Sequence, residues 1–126
     1  MADPESTPTV MVVDDEEGVR VPIVRALRRQ GYLVLEAEHG EAALARVRDH
    51  GAPIDLLLTD VMMPAMNGRD LARTLRASHP TLRVLFMTGY TDHAIEIATL
   101  DPTTTAFIEK PFPMARLLTM LRGMLE

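Results

Sequence analysis

The sequence predicts an α/β domain in which a parallel sheet is wrapped on both faces by helices. Three observations predict it. The stretch Ile54-Asp55-Leu56-Leu57-Leu58-Thr59-Asp60-Val61-Met62-Met63-Pro64 is an apolar run too short to cross a membrane, and it stops on a carboxylate. A run of this length reads as a strand buried on both faces, although periodicity alone does not separate it from a buried helical segment. Other short apolar runs alternate with segments of helical periodicity, which is the order of parallel strands joined by helical crossovers. At 126 residues the chain fits one domain and is long enough to bury about two-thirds of its unfolded surface.

Residues 1–8 form a polar lead, and the domain proper is expected over 9–126. Thr9-Val10-Met11-Val12-Val13 reads as a buried strand running into four acids, Asp14-Asp15-Glu16-Glu17. From Glu17 to Gln30, Val19, Ile23, Val24 and Leu27 share one helical face, and Gly31 is placed to end the helix. Pro22 lies near its start, so a tightened or slightly bent first part is expected and not a break. Tyr32 to Ala37 is the second strand, and Gly40 to His50 a helix presenting Ala43, Leu44 and Val47 inward. Gly51-Ala52-Pro53 then punctuates the chain before the central strand.

The central strand is stopped by Pro64 and by Asn67-Gly68, and Leu71, Ala72 and Leu75 mark a helix from about Gly68 to Ser78 that His79-Pro80 closes. Arg83 to Thr88 is the fourth strand. Asp92 to Leu100 supports a short helix of about two to three turns, stopped by Asp101-Pro102 because proline offers no amide to the ladder. Thr105-Ala106-Phe107-Ile108 is the fifth strand, ending at Lys110-Pro111, and Met114, Leu117, Leu118, Leu121 and Leu125 give the last helix its apolar stripe.

Composition removes several function classes. The formal net charge is -5 and the 13 basic residues are scattered, so no basic footprint for a nucleic-acid backbone exists. The first ten residues lack a basic, then apolar, leader pattern, and with no cysteine there is neither a disulfide framework nor a thiolate metal site. A cytoplasmic domain without membrane contact is the expectation. Most of the 9 methionines fall at core or strand positions where a flexible thioether fills gaps. His39, His50, His79 and His93 have no metal-ligand spacing and read as solvated.

The chemistry is expected where strands end. Strand one delivers Asp14 and Asp15, strand three Asp60, strand four Thr88 and strand five Lys110, all at carboxyl ends and so at one edge of the sheet, where open α/β sheets place ligands. Crowded carboxylates repel one another unless a cation neutralises them, and Mg²⁺ suits hard oxygen ligands of this kind. A lysine and a hydroxyl beside a metal-bound carboxylate suit a phosphoryl group, toward which an aspartate can itself be the nucleophile. Taken singly, a strand-end aspartate is more often a cap or turn residue. Glu16 and Glu17 read as helix-start charges favoured by the dipole, and Glu109 as a solvated strand edge.

These pieces together resemble the receiver domain of two-component response regulators. The resemblance runs from Val10 to Leu125. It is carried by Asp14-Asp15, by Asp60-x-x-Met-Pro-x-x-Asn-Gly through Gly68, by Met87-Thr88-Gly89-Tyr90 and by Lys110-Pro111-Phe112. It implies a flavodoxin-like doubly wound fold with five parallel strands in the order 2-1-3-4-5. It further implies Asp60 as phosphoacceptor, with Asp15 and Asp60 binding Mg²⁺ directly, Asp14 acting through a bound water and Met62 adding its backbone carbonyl. Thr88 would contact a phosphoryl oxygen, Lys110 would pair with the phosphate and with Asp60, and Phe107 stands at the switch aromatic. Such a domain catalyses its own phosphorylation from a partner's phosphohistidine and is not a metabolic enzyme.

Rival readings fail on particular residues. A dehalogenase-type phosphatase needs a second acid two positions after Asp60, where Met62 stands, and a flavin carrier's phosphate would be repelled by Asp14-Asp15-Glu16-Glu17. A degenerate receiver serving only for docking would not keep the acidic pair, Thr88 and Lys110. The short helix after Gly89-Tyr90-Thr91-Asp92 resembles receivers attached to hybrid histidine kinases more than those of dimerising DNA-binding regulators. This resemblance implies a monomeric domain exchanging phosphoryl groups with a histidine kinase or a histidine phosphotransfer partner.

Overall fold

A computed structural model describes residues 7–89 and 104–126. The elements are β1 (Thr9–Val13), α1 (Glu17–Arg29), β2 (Leu33–Ala37), α2 (Gly40–His50), β3 (Leu56–Asp60), α3 (Gly68–Ser78), β4 (Arg83–Thr88), β5 (Thr105–Glu109) and α4 (Met114–Leu125). The five strands form one sheet in the order β2-β1-β3-β4-β5, with every neighbouring pair parallel. This is the order implied by the resemblance. The short helix expected over Asp92 to Leu100, and His93 with it, lie outside the described residues.

The apolar runs of β1, β3 and β4 serve two cores because successive side chains leave a strand on opposite faces. Met11, Val13, Leu57, Val84 and Phe86 pack with Ala43 and Val47 of α2 and Leu71, Ala72 and Leu75 of α3. Val10, Val12, Leu56, Leu58, Leu85, Met87 and Ile108 pack on the other face with Ile23, Val24 and Leu27 of α1 and Leu117 and Leu121 of α4. All five residues of β3 are buried, which is why its sequence shows no polar alternation. Removing a side chain such as Leu57 would leave a cavity costing about 2–5 kcal/mol.

Local chemistry explains the element ends. Gly31 and Gly51 follow α1 and α2 with φ of 93° and 70°, the left-handed conformation that glycine adopts without a Cβ clash. The start of α1 is tightened as expected: the Glu16 carbonyl accepts from both the Val19 and Arg20 amides, at 3.0 and 2.9 Å, and Pro22 is carried inside an unbroken helix. The boundaries of α1 and β2 each differ by one residue from the sequence expectation, within the usual fraying of ends. His39 is solvent-facing, as the sequence reading expects, and has a local role besides. Its Nδ1 accepts from the Ala42 amide at 3.1 Å and so caps α2. Asn67 caps α3 in the same way, accepting from the Asp70 amide at 2.9 Å.

Candidate functional site

Strand parity brings the site together. Asp14 continues the Val10, Val12 row of β1, Asp60 the Leu56, Leu58 row of β3, and Lys110 the Ala106, Ile108 row of β5, all on the face covered by α1 and α4. Three residues far apart in sequence are thereby aimed at one point beyond the carboxyl edge. Lys110 Nζ donates to Asp14 Oδ2 and to Asp60 Oδ2, each at 2.9 Å, and lies 4.0 Å from Glu16 Oε1.

The other carboxylate oxygens are held as well. Asp60 Oδ1 accepts from the Met62 amide at 3.1 Å, and Asp14 Oδ1 accepts from the Glu16 amide at 2.8 Å. Asp14 is wholly buried and Asp60 nearly so, which is tolerable for carboxylates only because both are paired and hydrogen-bonded. Burial pushes the Lys110 ammonium down, but its hydrogen bonds to Asp60 and Asp14, with their charges, outweigh it and hold the group above its usual 10.5. Because the folded value is raised, the Lys110 contribution to stability is in place at neutral pH and up to pH 10.5, and is lost as pH rises through the higher folded value. Lys110 is therefore a cation throughout the neutral range.

Carboxylate oxygens of Asp14, Asp15, Glu16 and Asp60 lie within 4.8 Å of one another. Asp15 and Glu16 are exposed, so the cluster opens to solvent. Such a set of hard oxygens, two buried and two accessible, fits a divalent cation that keeps several waters. Glu16 stands at the start of α1, where the sequence reading puts its charge. It occupies the N-cap of α1 but makes no side-chain cap hydrogen bond, and its carboxylate joins the acid cluster.

Thr88 is buried at the end of β4, and its carbonyl accepts from the Lys110 amide at 2.7 Å, which ties the last two strands together at the site. Met62 is joined to Asp60 through its backbone amide, and the residue is 54% exposed. Phe107 lies on β5 with 38% of its surface exposed, its Cα in register with Phe86, and among the described hydrogen bonds none joins it to the acid cluster.

The loop after β3 is shaped by two positions. Ala65 has φ of 66°, a conformation costing a non-glycine residue about 1 kcal/mol. Gly68 packs directly on the Asp60 backbone, so a Cβ there would collide with the Asp60 carbonyl oxygen, and its amide donates to the Val61 carbonyl at 2.9 Å. Gly68→Ala is expected to lower stability by about 1–3 kcal/mol through this overlap. A chemical denaturation curve unchanged from wild type would contradict that contact.

A doubly wound sheet whose carboxyl edge gathers an acidic cluster and a lysine-paired aspartate defines a class: α/β domains with their ligand site at the strand ends. The chain belongs to the response regulator receiver domain family, whose pattern it matches over residues 10–122. It is 39% identical over 118 residues to the sensor kinase CckA of Brucella abortus (strain 2308), covering 94% of this chain and 12% of that protein. It is 32% identical over 116 residues to the response regulator receiver protein CpdR of the same strain, covering 92% of this chain and 95% of that protein. The crystal structure of the receiver domain from the hybrid histidine kinase CckA superposes with a TM-score of 0.79 at 34% identity, covering 94% of this chain and 99% of that one. The chain thus spans only a small part of the length of the sensor kinase and nearly the whole length of CpdR. Among the described residues no helix is long and apolar enough to cross a membrane.

Proposed function

We propose that Asp60 is the phosphoacceptor of this receiver domain. In the transfer, a carboxylate oxygen of Asp60 forms a bond to phosphorus while the bond from phosphorus to a partner's histidine nitrogen breaks, leaving an acyl phosphate here and a free imidazole there. What carries the reading is the pair of 2.9 Å contacts that Lys110 makes with Asp60 and Asp14, in a chain of this family. Lys110 holds the Asp60 carboxylate in place and supplies positive charge to the phosphoryl oxygens, to which Thr88 adds a hydroxyl. Asp15, Asp60 and the Met62 carbonyl would hold Mg²⁺, with Asp14 acting through a water. When bound, the ion neutralises charge on the transferred group. Phe107 is the switch aromatic that reports the phosphorylated state.

The partner proposed is a histidine kinase or a histidine phosphotransfer domain, met in the cytoplasm, with no direct nucleic-acid contact. The likeness to CckA favours a receiver that relays phosphoryl groups. Incubation with a small phosphodonor and Mg²⁺ should add one phosphoryl group per chain, and chelation of the metal should prevent it. An unmodified mass after exposure to donor and metal would reject the proposal. The domain is expected to remain monomeric when activated. Light scattering with and without a beryllofluoride phosphate mimic tests this, and a stable dimer induced by the mimic would overturn it.

A further inference from the structure

The acid pair is gripped from behind by a side chain that the phosphotransfer reading does not use. Arg20, in the first turn of α1, has a side chain only 13% exposed. Its Nη1 donates to the backbone carbonyl of Asp14 at 2.8 Å, and its Nε donates to Glu36 Oε1 on β2 at 3.2 Å. The planar guanidinium therefore spans two elements with two donors of fixed relative direction, a geometry that a lysine ammonium does not reproduce. The Asp14 amide, for its part, donates to the Ala37 carbonyl at 3.3 Å.

The carbonyl that Arg20 holds belongs to the peptide joining Asp14 to Asp15. The Asp14 side chain is fixed independently, by Lys110 and the Glu16 amide. Asp15 is exposed, so the direction of its carboxylate depends on the plane of the peptide that precedes it. We infer that Arg20 is a positioning residue which, oriented by Glu36, fixes the Asp14–Asp15 peptide and so sets the affinity of the acid cluster for a divalent cation. This rests on the metal reading given above.

Two effects of removing Arg20 oppose each other. Loss of a cation near four carboxylates favours metal binding, whereas loss of the grip on the peptide disfavours it. Positioning dominates, because the Arg20 charge is already paired with Glu36, whose other carboxylate oxygen lies 3.9 Å from Arg28. Residues that orient metal ligands from behind are worth about 10–100-fold in affinity.

The test is calorimetric titration of Mg²⁺ alone, at fixed salt, into wild type and variants shown to melt cooperatively. Arg20→Met and Arg20→Lys should both bind Mg²⁺ about 10-fold more weakly. Glu36→Ala should bind about 3-fold more weakly, and Glu36→Gln within about twofold of wild type, since its amide oxygen still accepts from Nε. Should Arg20→Met fail to fold, Arg20→Lys and Glu36→Ala decide. Equal or tighter binding in Arg20→Met, or full wild-type affinity in Arg20→Lys, would overturn the positioning role. A wild-type protein that binds no Mg²⁺ would instead overturn the metal reading beneath it.

Discussion

Asp60→Asn is expected to reduce phosphorylation by a small phosphodonor below detection while leaving the domain folded. The substitution is nearly isosteric, and the amide oxygen can still accept from the Met62 amide that now reaches Asp60 Oδ1 at 3.1 Å. It removes the anionic oxygen proposed to attack phosphorus, and an amide is a poor replacement because it carries no negative charge to share with the incoming group. It also places an amide beside the Lys110 ammonium where an oxygen now accepts at 2.9 Å. That contact is lost, but so is the repulsion between Asp60 and Asp14, and the net change in stability is expected to be within about 1–2 kcal/mol. Mass spectrometry of the variant after exposure to donor and Mg²⁺ reads the result, and a labelled variant would refute the assignment.

Asp15→Ala is expected to abolish stabilisation by Mg²⁺. A ligand that binds only the folded state at about ten times its Kd stabilises by about 1.4 kcal/mol. For a domain of this size that is a rise of roughly 5 °C in Tm. Asp15 is one of the two exposed members of the cluster, so its truncation leaves no cavity and should not weaken the metal-free protein. Loss of one negative charge from four crowded carboxylates should, if anything, stabilise that state. Thermal melts across a Mg²⁺ titration compare the two proteins, and equal shifts would remove Asp15 from the metal site.

How much of this was legible in the sequence depended on the range of the interaction. The strands were readable because burial on both faces leaves uninterrupted runs such as Leu56-Leu57-Leu58, and the helix ends because Gly31 and Gly51 mark left-handed positions. Strand order was not in the periodicity, which fixes which faces are apolar but not which strands are neighbours. It came from the resemblance. Asp14, Asp60 and Lys110 were nominated because strand ends in a parallel sheet share an edge, and the parity of their rows brings them into contact.

What escaped the sequence reading are contacts made across elements by residues with ordinary local roles. Glu16 looked like a helix-start charge, and no spacing rule says that a cap residue will turn its carboxylate into a cluster. Arg20 and Glu36 are sixteen positions apart, and their link to Asp14 exists only once α1 and β2 are docked on β1. His39 carried no cap signal, because histidine accepts at an N-cap only as one tautomer.

The location of the phosphoryl group tests the central claim most directly. Wild-type protein phosphorylated by a small donor with Mg²⁺, digested and mapped by tandem mass spectrometry, should carry a single acid-stable, base-labile phosphoryl group on Asp60. A label on a histidine, a serine or any other aspartate would contradict it.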